Sequence, residues 1–140
     1  TVCGYTPFDG AEYDYYTTTK GVLEKVKAHV GDVDFAVQPE LVSLLSSRNF
    51  GRYADEKGEM KVCFISNNDI TGGNSGSAMF NSKGELLGLA FDGNWEAMSS
   101  DILYEPKMQR TIGVDVRYIL FMIEKYGKAG NLIKELNIIN

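Results

Sequence analysis

The chain has 140 residues, 44% hydrophobic and 24% charged, a balance expected of one soluble globular domain that buries roughly 70% of its unfolded surface. A net charge of −5, with Lys and Arg dispersed, argues against nucleic acid or an anionic membrane as partner. No apolar run approaches the ~20 residues that span a bilayer, and the start Thr1-Val2-Cys3-Gly4-Tyr5 lacks both the basic and the apolar part of a signal peptide.

Residues 12–19 (EYDYYTTT) are rich in Tyr and Thr and predict a strand that Gly21 ends. Over 22–30, Val22, Val26 and Val30 have helical spacing, but their β-branched side chains suit a strand or an irregular segment equally well. Pro39 and Glu40, followed by apolar residues three and four apart, predict a helix that starts at Pro39 and ends near Arg48. Residues 52–60 read as a polar loop and 61–66 as a strand.

The run Thr71-Gly72-Gly73-Asn74-Ser75-Gly76-Ser77 follows. Next come a short strand from Ser77 to Phe80, a turn over 81–84 and a second, apolar strand over 85–91, together a buried hairpin. Residues 94–107 show no period and read as a loop able to wrap a pocket. A strand over 111–114 leads to Asp115 as N-cap. The helix over 116–126 then buries Ile119, Leu120 and Ile123 on one stripe and closes on Gly127 in the left-handed conformation. One short helix over 131–136 completes the chain. Without repeats, low-complexity tracts or linkers, a single domain is expected.

The glycine-serine run carries the chemistry. One serine between glycines, on a tight backbone, suits a nucleophile whose neighbouring N–H groups stabilise an oxyanion, and Gly73 and Ser75 would supply those donors. A bare Asn-Ser-Gly-Ser is otherwise an ordinary hairpin turn, so the flanking elements decide. A phosphate-binding loop fails, because no Gly-Lys-Ser/Thr follows and strand leads to strand with no helix N-terminus to hold an anion. Ser77 reads as a structural hydroxyl at the start of a strand. Trp95 reads as a packing residue, although an indole at a pocket mouth would also suit substrate contact. Cys3 and Cys63 lack metal-ligand spacing, so no metal or cofactor is expected, and the sequence leaves their pairing open.

Four segments carry a family resemblance: 49–55 (NFGRYAD), the loop 71–77, 89–101 (LAFDGNWEAMSSD) and 110–126 (RTIGVDVRYILFMIEKY). On these the chain resembles the C-terminal part of bacterial dipeptidyl-peptidases of the 7 and 11 types, in serine peptidase family 46, and is closer to type 7. The resemblance implies a mainly β fold with C-terminal helices, a trypsin-like barrel half over 1–115 and helices over 116–138. It implies a fragment of a longer, exported enzyme, periplasmic or at the cell surface and homodimeric, that releases dipeptides from peptides with a free N-terminus. It also implies roles: Ser75 as nucleophile, Gly73 and Ser75 as oxyanion donors, Asp92 as the carboxylate that binds the substrate's α-ammonium, and Gly93 at the base of the pocket for the second substrate residue. An arginine takes the Gly93 position in the acidic-specific type, so glycine here implies an apolar preference.

The catalytic histidine and aspartate of the family belong to an earlier barrel half. His29, the one histidine, matches no base motif and reads as a structural or surface residue, so the fragment alone is expected to be inactive. The alternative is a noncatalytic barrel, a binding or assembly module that keeps a vestigial serine loop.

Overall fold

A computed structural model describes residues 1–7, 10–99 and 103–139, which form two units: Thr1–Thr17 with Cys63–Val116, and Thr18–Val62 with Arg117–Asn140. A five-stranded sheet dominates the first, with strands β1 (Tyr16–Thr18), β2 (Lys61–Ser66), β3 (Ala78–Phe80), β4 (Leu86–Gly93) and β5 (Thr111–Asp115) in the order β1-β2-β5-β4-β3. The pairings of β2 with β5, β4 with β5 and β3 with β4 are antiparallel. The architecture is thus mainly antiparallel sheet accompanied by helices. The sheet is open, with β1 and β3 at its edges.

Alternation sets the sheet's two faces. In β2 the buried residues are Val62, Phe64 and Ser66, and in β5 they are Thr111, Gly113 and Asp115. Phe64 lies across two glycines. A Cβ at Gly88 would sit 2.8 Å from its Cε1 and 2.0 Å from the Val114 carbonyl oxygen, and one at Gly113 would sit 2.9 Å from its Cζ. The hairpin β3–β4 is less buried than its apolar sequence predicts, since Phe80 and Leu86 are exposed on its outer side.

The second unit is helical and aromatic. Helix α1 (Thr19–Ala28) contains Gly21, which does not interrupt it, so the strand expected over 12–19 shrinks to β1. The spacing of Val22 and Val26 prevails over their β-branching because both valines lie half-buried on one side of α1. Helix α2 (Pro39–Ser46) has proline in its first turn and stops where Arg48 adopts φ 54°. Helices therefore precede as well as follow most of the sheet, and are not confined to the C-terminal part.

The stretch 52–60, expected as a polar loop, contributes Tyr53 and Met60 to the core. Phe121, which is 0% exposed, meets Phe50 and Tyr53 edge-to-face at centroid distances of 5.7 and 6.1 Å. The Tyr53 hydroxyl donates to Glu124 Oε2 at 2.6 Å. Burial first and the Glu124 carboxylate second push the Tyr53 phenol up to about 12, and the same hydrogen bond holds Glu124 below its ordinary value.

The segment expected as one helix begins as α3 (Val116–Phe121) and widens into a π-turn, Met122–Tyr126. Already within α3 the apolar stripe is displaced from the expected one: Leu120 and Phe121 are buried while Ile119, and Ile123 in the π-turn, are half-exposed. Gly127 has φ −73°, not a left-handed value, because its N–H closes the π-turn on Met122 O; Lys128 takes the left-handed position instead. Helix α4 (Gly130–Ile133) follows.

Candidate functional site

Two consecutive turns build the serine loop. Asn74 N–H donates to Thr71 O, and Ser77 N–H to Asn74 O. The third position of each is a glycine with positive φ, 93° at Gly73 and 89° at Gly76, as a type II turn requires. The Asn74 side chain accepts from Thr71 N–H at 2.9 Å and ties the first turn shut. With Asn74, Gly76 and Ser77 N–H engaged, those of Gly72, Gly73 and Ser75 have no acceptor among the described residues. Two of these three are the donors expected from the sequence.

The loop is clamped to β4 where that strand bulges. Pairing with β5 passes from Ala90↔Gly113 to Asp92↔Ile112, leaving Phe91 as an extra residue. Regular alternation would turn either Phe91 or Asp92 inward; the bulge leaves both exposed. Gly76 N–H donates to Ala90 O, Ala90 N–H to Ser77 O, and the exposed Ser75 Oγ donates to Phe91 O at 3.1 Å. Asp92 Oδ1 accepts from Gly93 N–H at 2.8 Å, and its other oxygen has no partner among the described residues.

Gly73, Ser75, Asp92 and Gly93 therefore line one open cleft of about 270 Å³, whose remaining wall includes Ala97 and Met98. All four residues expected from the sequence meet there. Ser77 lies beside them but just outside β3, its N–H donating to Asn74 O in the loop and its C=O accepting from Ala90 N–H of β4.

The remaining wall rests on two residues that the sequence does not single out. Buried Asn94 donates through Nδ2 to Met108 O and Glu96 Oε2, accepts from Arg110 N–H, and holds Ala97 N–H on its own carbonyl. Buried Arg110 donates to the carbonyls of Gly4, Pro106, Lys107 and Gln109, so hydrogen bonds to backbone dipoles compensate its charge. The Asn-Trp-Glu run after β4 was the available signal for Asn94; nothing local marks Arg110 as a clasp.

The wall itself is a 3-10 turn, Trp95–Ser99, in the segment expected as loop; positions 100–102 of that segment, including Asp101, lie outside the described residues. Trp95 is 81% exposed, which corrects its reading as a packing residue. His29 is committed elsewhere: Nδ1 donates to Lys25 O at the end of α1, and its ring stacks on Phe35 at 4.0 Å. Both cysteines are free, and burial pushes the Cys63 thiol up. Among the described residues no group of His, Cys, Asp and Glu is placed to hold a metal ion, and no helix is long and apolar enough to cross a membrane.

The family model described as Peptidase S46 matches residues 1–138. The chain belongs to the peptidase S46 family. This S46 chain is 59% identical over 139 residues to dipeptidyl-peptidase 7 of Porphyromonas endodontalis, and 57% identical to that of Porphyromonas gingivalis. It is 45% identical over 138 residues to the Asp/Glu-specific dipeptidyl-peptidase of Porphyromonas gingivalis. Each match covers 99% of the S46 chain but only 17–19% of the relative. The crystal structure of Porphyromonas endodontalis DPP11 in complex with the dipeptide Arg-Glu superimposes with TM-score 0.91 at 42% identity, covering 96% of this chain and 19% of that one.

Proposed function

We propose that this chain supplies the nucleophile and the substrate wall of a serine-type dipeptidyl-peptidase, as part of a trypsin-like barrel in the full-length parent enzyme. One observation carries the reading: the Ser75 hydroxyl, the unengaged N–H groups of Gly73 and Ser75 and the Asp92 carboxylate share one cleft. Ser75 Oγ leaves the Phe91 carbonyl, passes its proton to a general base and attacks the carbonyl carbon of the second substrate residue. The C–N bond to the third residue then breaks, its amine leaves with that proton, and water releases the dipeptide from Ser75. The two N–H groups stabilise the oxyanion as it forms. Asp92 binds the free α-ammonium and fixes the count at two residues, because an internal peptide segment has no cation to neutralise that carboxylate.

His29 is not that base, since it matches no base motif and is not among the residues that line the cleft. The histidine and aspartate come from another part of the parent, and the 140-residue chain alone is inactive. Gly93 leaves room without charge, so the second residue is apolar: Met, Leu or Phe rather than Asp or Glu. The Ser75–Phe91 hydrogen bond also suits a second reading, a noncatalytic module whose serine is a structural hydroxyl.

A serine-reactive phosphonate separates the two. Labelling of the parent that disappears in Ser75→Ala supports the peptidase, and no labelling of the parent supports the module. Fluorogenic dipeptides with a free amino terminus test the preference, and faster release from Asp- or Glu-ended reporters overturns it.

A further inference from the structure

Gly93 and Ala97 compete for one volume. A Cβ built on Gly93 would lie 2.9 Å from the Ala97 Cβ, well inside the ~3.5–4.0 Å of an ordinary carbon contact. The space opened by glycine at 93 is therefore already bounded by a methyl group from the 3-10 turn. That methyl has a second side. Ala97 and Ile70 also line a cavity of about 10 Å³, room for about one water, together with Gln109. The buried Gln109 Oε1 has no hydrogen-bond partner among the described residues. Ala97 is thus a wall shared by the open cleft and a small, partly open void.

Resting on the peptidase reading, we propose that Ala97 is a second determinant of which substrate side chain the cleft accepts, setting its depth where Gly93 sets its width. Asn94 fixes the shared wall, because its carbonyl holds Ala97 N–H at 2.9 Å and its side chain is bonded to Met108 and Arg110. The wall is rigid at its foot. At its lip Met98 is 74% exposed yet lines the cleft, and its unbranched thioether adapts to different apolar shapes. A residue larger than alanine at 97 would project under Gly93 and shorten the cleft. Glycine there would join the cleft to the void.

The test uses the full-length parent and free-amino dipeptide reporters ending in Ala, Leu or Phe, reading the ratio of kcat/KM for Phe over Ala. Ala97→Val is expected to lower that ratio about tenfold, through KM, since one misplaced methylene in an apolar pocket discriminates on that scale. Ala97→Gly is expected to raise it. In Gly93→Ser the Phe-ended reporter loses, and Gly93→Ser with Ala97→Gly recovers part of that loss, a non-additivity reporting the shared volume. An unchanged ratio in Ala97→Gly overturns the proposal even if Ala97→Val misfolds. Hydrolysis that persists in Ser75→Ala overturns the peptidase reading beneath it, a different result from a silent Ser75→Ala with an unmoved ratio.

Discussion

The two units fill their interiors in opposite ways. Around β4 and β5 the contacts are backbone against aromatic edge, with Gly88 and Gly113 admitting Phe64 where a Cβ would collide. Around α3 the contacts are side chain against side chain, with Phe50, Tyr53 and Phe121 packed edge-to-face. One unit depends on where the main chain passes, the other on how much apolar volume is present. A cleft made of N–H groups, a carbonyl and a bulge needs the first kind of construction, because a shift of about 1 Å in the backbone moves every donor at once.

Substitutions that separate the two kinds of construction test this contrast. The largest effect is chemical: Ser75→Ala in the parent lowers kcat roughly 10⁴-fold or more. Its unfolding midpoint hardly changes, because the hydroxyl is exposed; a large loss of stability would show a structural serine. Phe121→Ala costs about 3–5 kcal/mol in thermal unfolding, as deletion of a fully buried aromatic does. Gly88→Ala, which adds a single methyl, costs about 3 kcal/mol, because Val114 O must move. A cost below about 1 kcal/mol there would end the claim that the first unit is backbone-limited.

Tyr53→Phe costs about 1.5 kcal/mol, the scale of a hydrogen bond to a charged group. Its signature is pH dependence. Tyr53 ionises near 12 instead of 10.0, so its contribution is whole below pH 10 and is lost as pH rises toward 12. Glu124 is shifted the other way, so its contribution is whole above its ordinary range and is lost as pH falls. Urea midpoints across pH should show both slopes in the native chain, whereas Tyr53→Phe should abolish the alkaline one and weaken the acid one, which Lys125 and Arg52 still support. The smallest effect is Trp95→Ala, within about 0.5 kcal/mol, since an 81% exposed indole holds little together.

Local features were legible in the sequence, and features fixed by distant partners were not. The serine loop, its hairpin and α2 follow from glycine, proline and period, all read within a few residues. Gly21 weighed against α1 because its intrinsic cost was visible while the packing that offsets it was not. Phe121 escaped because the stripe expected on Ile119, Leu120 and Ile123 is out of phase with the face that α3 buries, a face set by Phe50 and Tyr53 far away in the chain. At the site, Ser75, Gly73, Asp92 and Gly93 could be named, but the reason they converge could not. The bulge exists only in the register between β4 and β5, and the Asn94–Arg110 clasp joins residues sixteen apart through groups with no motif.

The surplus residue in β4 stores information as parity. Phe91 puts everything after it one step out of phase with everything before it, so the serine's resting acceptor and the carboxylate share a side they would otherwise split. Excising Ala90 would leave the composition nearly intact and return the strand to even counting: Asp92 would keep Ile112 as its partner, while Phe91, whose carbonyl receives the serine, would move to the buried position opposite Gly113. Within this short stretch, length therefore constrains the chemistry as tightly as residue identity does.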